Sequence, residues 1–180
     1  MKSGRAATAG MHKHATTQIE ISPVVRSQIS RLQIHLPESV IHPRYGREMN
    51  PHITVLYGVV TGPEEVRAVV KDFGPVSFTI DEAFAFEGVE DGTADAVAFR
   101  IGGDDLHRLR EQILQNVPSA EQKFKYEPHL TLAYVHAGVG RAVAKQIPTL
   151  GMKIITNMLM YRATTGASTH LFLGPARSVA

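Results

Sequence analysis

Two short segments hold the residues most able to do chemistry. Asn50-Pro-His-Ile-Thr-Val-Leu-Tyr57 is echoed by Glu127-Pro-His-Leu-Thr-Leu-Ala-Tyr134, 77 residues on, with proline, histidine, threonine and tyrosine identical at matching positions. Side chains alternate along a strand, so His52 and Thr54 leave one face, as do His129 and Thr131 in the second copy. An imidazole can act as base or acid near neutrality, and a hydroxyl can hydrogen-bond an anion's oxygens. Strands turn their apolar side inward. Ile53, Val55 and Tyr57 are therefore expected in the core, with Leu130, Leu132 and Tyr134 matching them, and the His/Thr faces in a wetter cleft. A lone His-x-Thr would be ordinary strand composition. Two copies at this spacing predict related half-domains whose His-x-Thr pairs converge across a pseudo-two-fold axis.

The remaining pattern must position those strands. Ile19–Val25 and Arg31–Leu36 read as strands, the second from the alternation of Leu32, Ile34 and Leu36. Residues 37–51, with three prolines, read as a long loop. Thr61-Gly-Pro-Glu64 has capping-box spacing ahead of Val66, Val69, Val70 and Phe73, a helical stripe. Pro75–Glu87 and Ala94–Ile101 flank Glu90-Asp91-Gly92 as a hairpin. Asp104 can cap a helix with an apolar face of Leu106, Leu109, Ile113, Leu114 and Val117. A short helix over Gly140–Ile147 and strands over Met152–Tyr161 and Thr169–Leu173 complete the order. The class is α+β with largely antiparallel sheets. No glycine-rich phosphate loop opens either good helix, so Rossmann and P-loop readings fall away.

Composition bounds the chemistry. The chain has 180 residues, nine histidines and no cysteine, which excludes disulfides, thiolate nucleophiles and zinc-thiolate sites. Net charge is +2, distributed as +4 over residues 1–50, −6 over 51–100 and +4 over 101–180. That balance is too mild to announce nucleic acid by itself. Residues 1–17 read as a flexible arm and 18–180 as a single bilobal domain. In the arm, His12-Lys13-His14 could bind metal, but an inert tail is the plainer reading. No apolar run of signal-peptide or membrane-span length is present, so a cytoplasmic protein without membrane contact is expected.

These residues give the chain a family likeness. Through HITV and HLTL it resembles the 2H phosphoesterase superfamily, which includes 2′-5′ RNA ligase-like proteins and cyclic phosphodiesterases, with phage and bacterial members most similar in texture. The likeness covers about residues 30–174. It implies a bilobal α+β fold, two pseudo-two-fold-related antiparallel sheets with flanking helices, the motifs on central strands lining one cleft, and metal-independent phosphodiester chemistry.

The resemblance and the stereochemistry point to one mechanism. One of His52 and His129 takes a proton from water or a ribose hydroxyl, the other protonates the leaving ribose oxygen, and Thr54 and Thr131 hydrogen-bond the non-bridging oxygens. Neither motif brings a carboxylate with it, so no metal or other cofactor is expected. The expected partner is a nucleotide or RNA carrying a 2′,3′-cyclic phosphate or 2′-5′ linkage, or a cyclic oligonucleotide signal, bound by a monomer. Tyr45, Phe86 and Tyr126 are candidate base platforms, with Lys125 and Arg47 near the phosphate. His35 could line the cleft. The alternatives are a 2′-5′ RNA ligase acting on cyclic-phosphate ends and a non-catalytic RNA-binding module. Binding alone would tolerate Lys or Arg at the histidine positions, which counts against the module.

Overall fold

The computed structural model describes residues 13–122 and 125–175. Strand β1 spans Ala15–Glu20, so Ala15, Thr16 and Thr17 are strand where the arm was expected. Residues 1–12 of that arm, His12 included, lie outside the described residues. Helix α1 follows over Pro23–His35; it replaces the strand expected over Arg31–Leu36 and the Pro23–Val25 end of the one expected over Ile19–Val25, whose Ile19 and Glu20 do lie in β1. Ser22 starts it by accepting the Val25 N–H at 3.4 Å, and Pro23 supplies a pre-set φ. Burial has a helical spacing, with Val25, Ile29, Gln33 and Leu36 inside and Ile34 74% exposed. A polar residue, Gln33, sits in the core stripe and hides its period.

The order continues as a 3-10 turn over Glu38–Val40, β2 (His52–Val59), α2 (Pro63–Val70), β3 (Val76–Gly88), α3 (Val89–Gly92) and β4 (Ala94–Gly102). Then come α4 (Asp105–Asn116), β5 (His129–His136), α5 (Gly140–Ala144), β6 (Met152–Thr156), β7 (Met158–Arg162) and β8 (Ser168–Phe172). Both expected helix starts form differently. Gly62, not Thr61, caps α2, and the Asp104 side chain makes no cap bond. Asp105 instead accepts the Ser77 N–H at 2.8 Å, tying α4 to β3.

Two four-stranded antiparallel sheets result, in the orders β2-β1-β7-β8 and β5-β4-β3-β6. The fold is α+β and bilobal, as expected. The strand expected over Met152–Tyr161 breaks at Asn157. Its first half pairs with β3 and its second with β1, so the chain passes from one sheet to the other there. The motif strands are edge strands of their own sheets rather than central ones, and the two edges lie against each other.

A β-bulge sits at the same place in each motif. The β1–β2 ladder skips Val55 and the β4–β5 ladder skips Leu132. Each bulge sends two successive residues inward, Val55 with Leu56 and Leu132 with Ala133, all buried. The alternation is thereby reversed. Tyr57 and Tyr134, expected in the core, emerge on the His/Thr face, and Tyr57 is 45% exposed.

The loops before the motifs are exchanged. The 37–51 loop leads into β2 but runs along β5: His42 N donates to Tyr134 O at 2.9 Å, Tyr134 N to Gly46 O at 2.8 Å and Glu48 N to Leu132 O at 2.9 Å. The segment leading into β5 runs along β2, with Ala120 N donating to Gly58 O at 2.7 Å. Gly58 has φ +96°, and a Cβ there would lie 3.1 Å from Ala120 Cβ, so glycine allows this approach. Gln33 Nε2 donates to Glu48 O at 2.7 Å and Leu132 O at 2.8 Å, joining α1, the loop and the second bulge.

Asp95 is a buried carboxylate, 1% exposed. It accepts N–H groups from Gly88 at 3.0 Å, Gly138 at 2.8 Å and Gly140 at 2.9 Å, which holds the hairpin turn and the start of α5. Desolvation pushes its pKa up, but the three N–H donors and Arg141 together leave it below the ordinary carboxylate value.

Candidate active site

The two histidines are held alike. His52 Nδ1 lies 2.8 Å from the carbonyl oxygen of Asn50, and His129 Nδ1 lies 2.8 Å from that of Glu127. A carbonyl oxygen only accepts, so each Nδ1 is assigned the proton and each Nε2 is left for other work. Sequence reasoning missed this device, although a signal for it existed. Asn50 and Glu127 each precede a proline, which confines them to extended backbone and restricts where their carbonyls point. Both rings are half-buried, as are Thr54 and Thr131.

A cavity of about 620 Å3 draws on both motifs, with Thr54 from the first and His129 from the second in its lining. His52 and Thr131 share the same two strands but lie outside that lining. Three residues expected to bind substrate, Phe86, Lys125 and Tyr126, do line the cavity. The Phe86 ring meets the His129 imidazole edge-on at 4.7 Å. The Tyr126 hydroxyl donates to the Thr54 carbonyl at 3.0 Å, linking the loop to the first motif. Burial pushes the Tyr126 phenol well above its usual range, against the pull of Arg110, so it stays a neutral donor.

Lys13, His14, Tyr57 and Arg110 also line the cavity and were not anticipated. His14 meets Tyr57 edge-on at 5.9 Å. The inert-tail reading is thus corrected at Lys13 and His14. Tyr57 was missed because the bulge reverses its side. Lys13, Arg110 and Lys125 face Glu121 and Glu127 in this lining, a cationic surplus of one before any histidine charge. Glu127 is paired with Arg100.

Other candidates sit elsewhere. Tyr45 lies outside the cavity lining and packs on Tyr134, with ring centroids 5.6 Å apart. Arg47 is no phosphate ligand. Its guanidinium binds the carbonyls of Gln33 at 2.9 Å and Leu36 at 2.7 Å and the Glu38 carboxylate at 2.6 Å, so it closes the C-terminus of α1. His35 ends that helix outside the cavity lining, and His170 pairs with Glu20 at 2.8 Å. Among the described residues, no three His, Asp or Glu side chains gather as a group able to hold a metal. No described helix is long and apolar enough to cross a membrane.

The family model of the 2′-5′ RNA ligase superfamily matches residues 21–153. Among solved structures, TT0787 of Thermus thermophilus is similar at 14% identity and a TM-score of 0.62, covering 90% of this chain and 98% of that one. LigT of E. coli complexed with 3′-AMP is similar at 15% identity and 0.58, covering 88% and 94%. Usb1 of Kluyveromyces marxianus with uridine monophosphate is similar at 8% identity and 0.60, covering 89% and 98%. At these identities the likeness is one of fold. No curated protein matches the sequence.

Proposed function

The chain belongs to the 2′-5′ RNA ligase superfamily, the 2H phosphoesterases, and from that premise we propose that it is a metal-independent phosphodiesterase acting on a ribonucleotide phosphodiester. The observation that carries this reading is the matched pair of imidazoles, each with Nδ1 tied to a backbone carbonyl and Nε2 left for proton transfer.

On a ribose 2′,3′-cyclic phosphate, one Nε2 takes a proton from water as the water oxygen bonds to phosphorus. The bond to one ribose oxygen breaks, and that oxygen takes a proton from the other, protonated imidazole. The product is a 2′- or 3′-monophosphate, and the two histidines have exchanged protonation states, which solvent resets. Thr54 and Thr131 hydrogen-bond the non-bridging oxygens, where charge builds in the transition state. On a 2′-5′ linkage, a ribose hydroxyl or water fills the nucleophile's place.

The cavity accounts for the nucleoside. Its volume falls within the roughly 300–1,000 Å3 usual for small-molecule sites, Phe86 and Tyr126 offer ring surface to a base, and Lys13 and Lys125 offer charge to phosphate. Nucleotides bound in the structures of LigT and Usb1 support the same substrate class.

The test is a panel of 2′,3′-cyclic mononucleotides, cyclic-phosphate-ended RNA, 2′-5′ oligoadenylate, ADP-ribose cyclic phosphate and cyclic dinucleotides, assayed in excess chelator. Hydrolysis of at least one ribonucleotide substrate, with a single phosphate regioisomer as product, is expected. Activity lost with chelator and restored by a divalent ion contradicts the mechanism. Longer RNA made from cyclic-phosphate ends replaces hydrolysis by joining. RNA bound without product reduces the site to a binding module.

A further inference from the structure

We propose that His42, Tyr45 and Tyr134 form a second base-stacking subsite, so that the preferred substrate is a linear phosphodiester with a nucleoside on each side. This rests on the function proposed above and narrows its substrate class.

The bulge at Leu132 turns Tyr134 onto the face that carries His129 and Thr131. The exchanged 37–51 loop then brings Tyr45 against it, with centroids 5.6 Å apart. His42 stacks on Tyr45 at 4.8 Å with 23° between the ring planes, and the Arg44 guanidinium lies 5.3 Å from the Tyr45 centroid. None of these rings belongs to the buried core, and each of the three is half-buried. A partly exposed stack beside a motif strand is the sort of platform on which nucleobases stack.

The tyrosine–histidine–arginine grouping of Tyr45, His42 and Arg44 has a counterpart in the other half. The loop along β2 carries Tyr126, with His107 at 5.1 Å and the Arg110 guanidinium at 4.9 Å from its ring. That cluster contributes Tyr126 and Arg110 to the cavity beside Thr54. Each motif strand is thus flanked by a tyrosine, a histidine and an arginine around the loop exchanged from the other half. In the proposed pose, a phosphodiester held between the motifs would direct one nucleoside toward each cluster. A cyclic mononucleotide uses only one of them, whereas a dinucleotide uses both.

The probe is a 2′-5′ diadenosine methylenephosphonate, whose bridging atom cannot be cleaved, compared with adenosine 2′-monophosphate by titration calorimetry. One stacked base contributes about 1–3 kcal/mol, so the two-base ligand is expected to bind wild type about 5-fold tighter or better. Tyr45→Ala and His42→Ala are each expected to shrink that ratio to about two-fold or less, and Tyr45→Phe, which keeps the ring, to restore it. Thermal melts confirm that each variant is folded. Equal affinity of the two ligands for wild type overturns the subsite, and so does a ratio that survives in both alanine variants. Turnover on the panel with equal affinities sinks the subsite alone. A ring-dependent ratio without turnover sinks the proposed activity and keeps the subsite.

Discussion

In the proposed mechanism the chemistry turns on one atom of each histidine. Tying Nδ1 to the carbonyl two residues back orients the ring and leaves Nε2 outside that contact, at both motifs and with the same 2.8 Å distance. The proposed role of Thr54 and Thr131 is confined to where charge develops, so Thr131→Val is expected to lower kcat about 100-fold while moving KM little. Steady-state kinetics check this, and an effect confined to KM speaks against the assigned role. Asp95 acts on stability instead. Its folded pKa is depressed, so its contribution is fully present above the unfolded value, near 4, and is lost as pH falls through the folded one. Asp95→Ala is expected to cost roughly 1–3 kcal/mol at pH 7, because it leaves the buried Gly140 N–H without an acceptor and frees the Gly88 and Gly138 N–H groups to solvent. Asp95→Asn should flatten the acid limb of stability below about pH 4, read as denaturation midpoints against pH.

At the scale of elements, much was legible and the failures share a cause. The motif strands announce themselves by their β-branched and apolar content and their duplication, and α2, α4 and the β3–β4 hairpin by apolar spacing and turn residues. Helix α1 was misread because Gln33 fills a core position to satisfy the carbonyls of Glu48 and Leu132, a task visible only in three dimensions. Tyr57 and Tyr134 were misplaced because a bulge adds a residue without any mark in the sequence. The loop exchange was equally hidden, since it pairs each pre-motif segment with a strand of the other half. Gln33→Ala is expected to remove about 2 kcal/mol and lower Tm by about 4–8 °C. A melt at the wild-type temperature would mean that Gln33 does not hold the second bulge.

Across the whole molecule, two sheets meet along the edges that carry the motifs, and the chain crosses between them at Asn157. The duplicated motifs made this bilobal plan readable from sequence. The full lining of the cavity was not readable, because Lys13, His14 and Arg110 reach it from distant segments. Its small cationic surplus should draw anionic substrates, so KM is expected to rise with ionic strength and Lys125→Glu to raise KM more than it lowers kcat. A KM indifferent to salt contradicts that role. The central claim is that His52 and His129 act as complementary acid and base. It is tested most directly by the pH dependence of kcat/KM on the best panel substrate, for wild type, His52→Ala and His129→Ala. Wild type should give a bell, and each folded variant should lose about 100-fold or more and lack one limb, opposite limbs in the two. A bell of unchanged shape in either variant, with turnover within about ten-fold of wild type, contradicts the account.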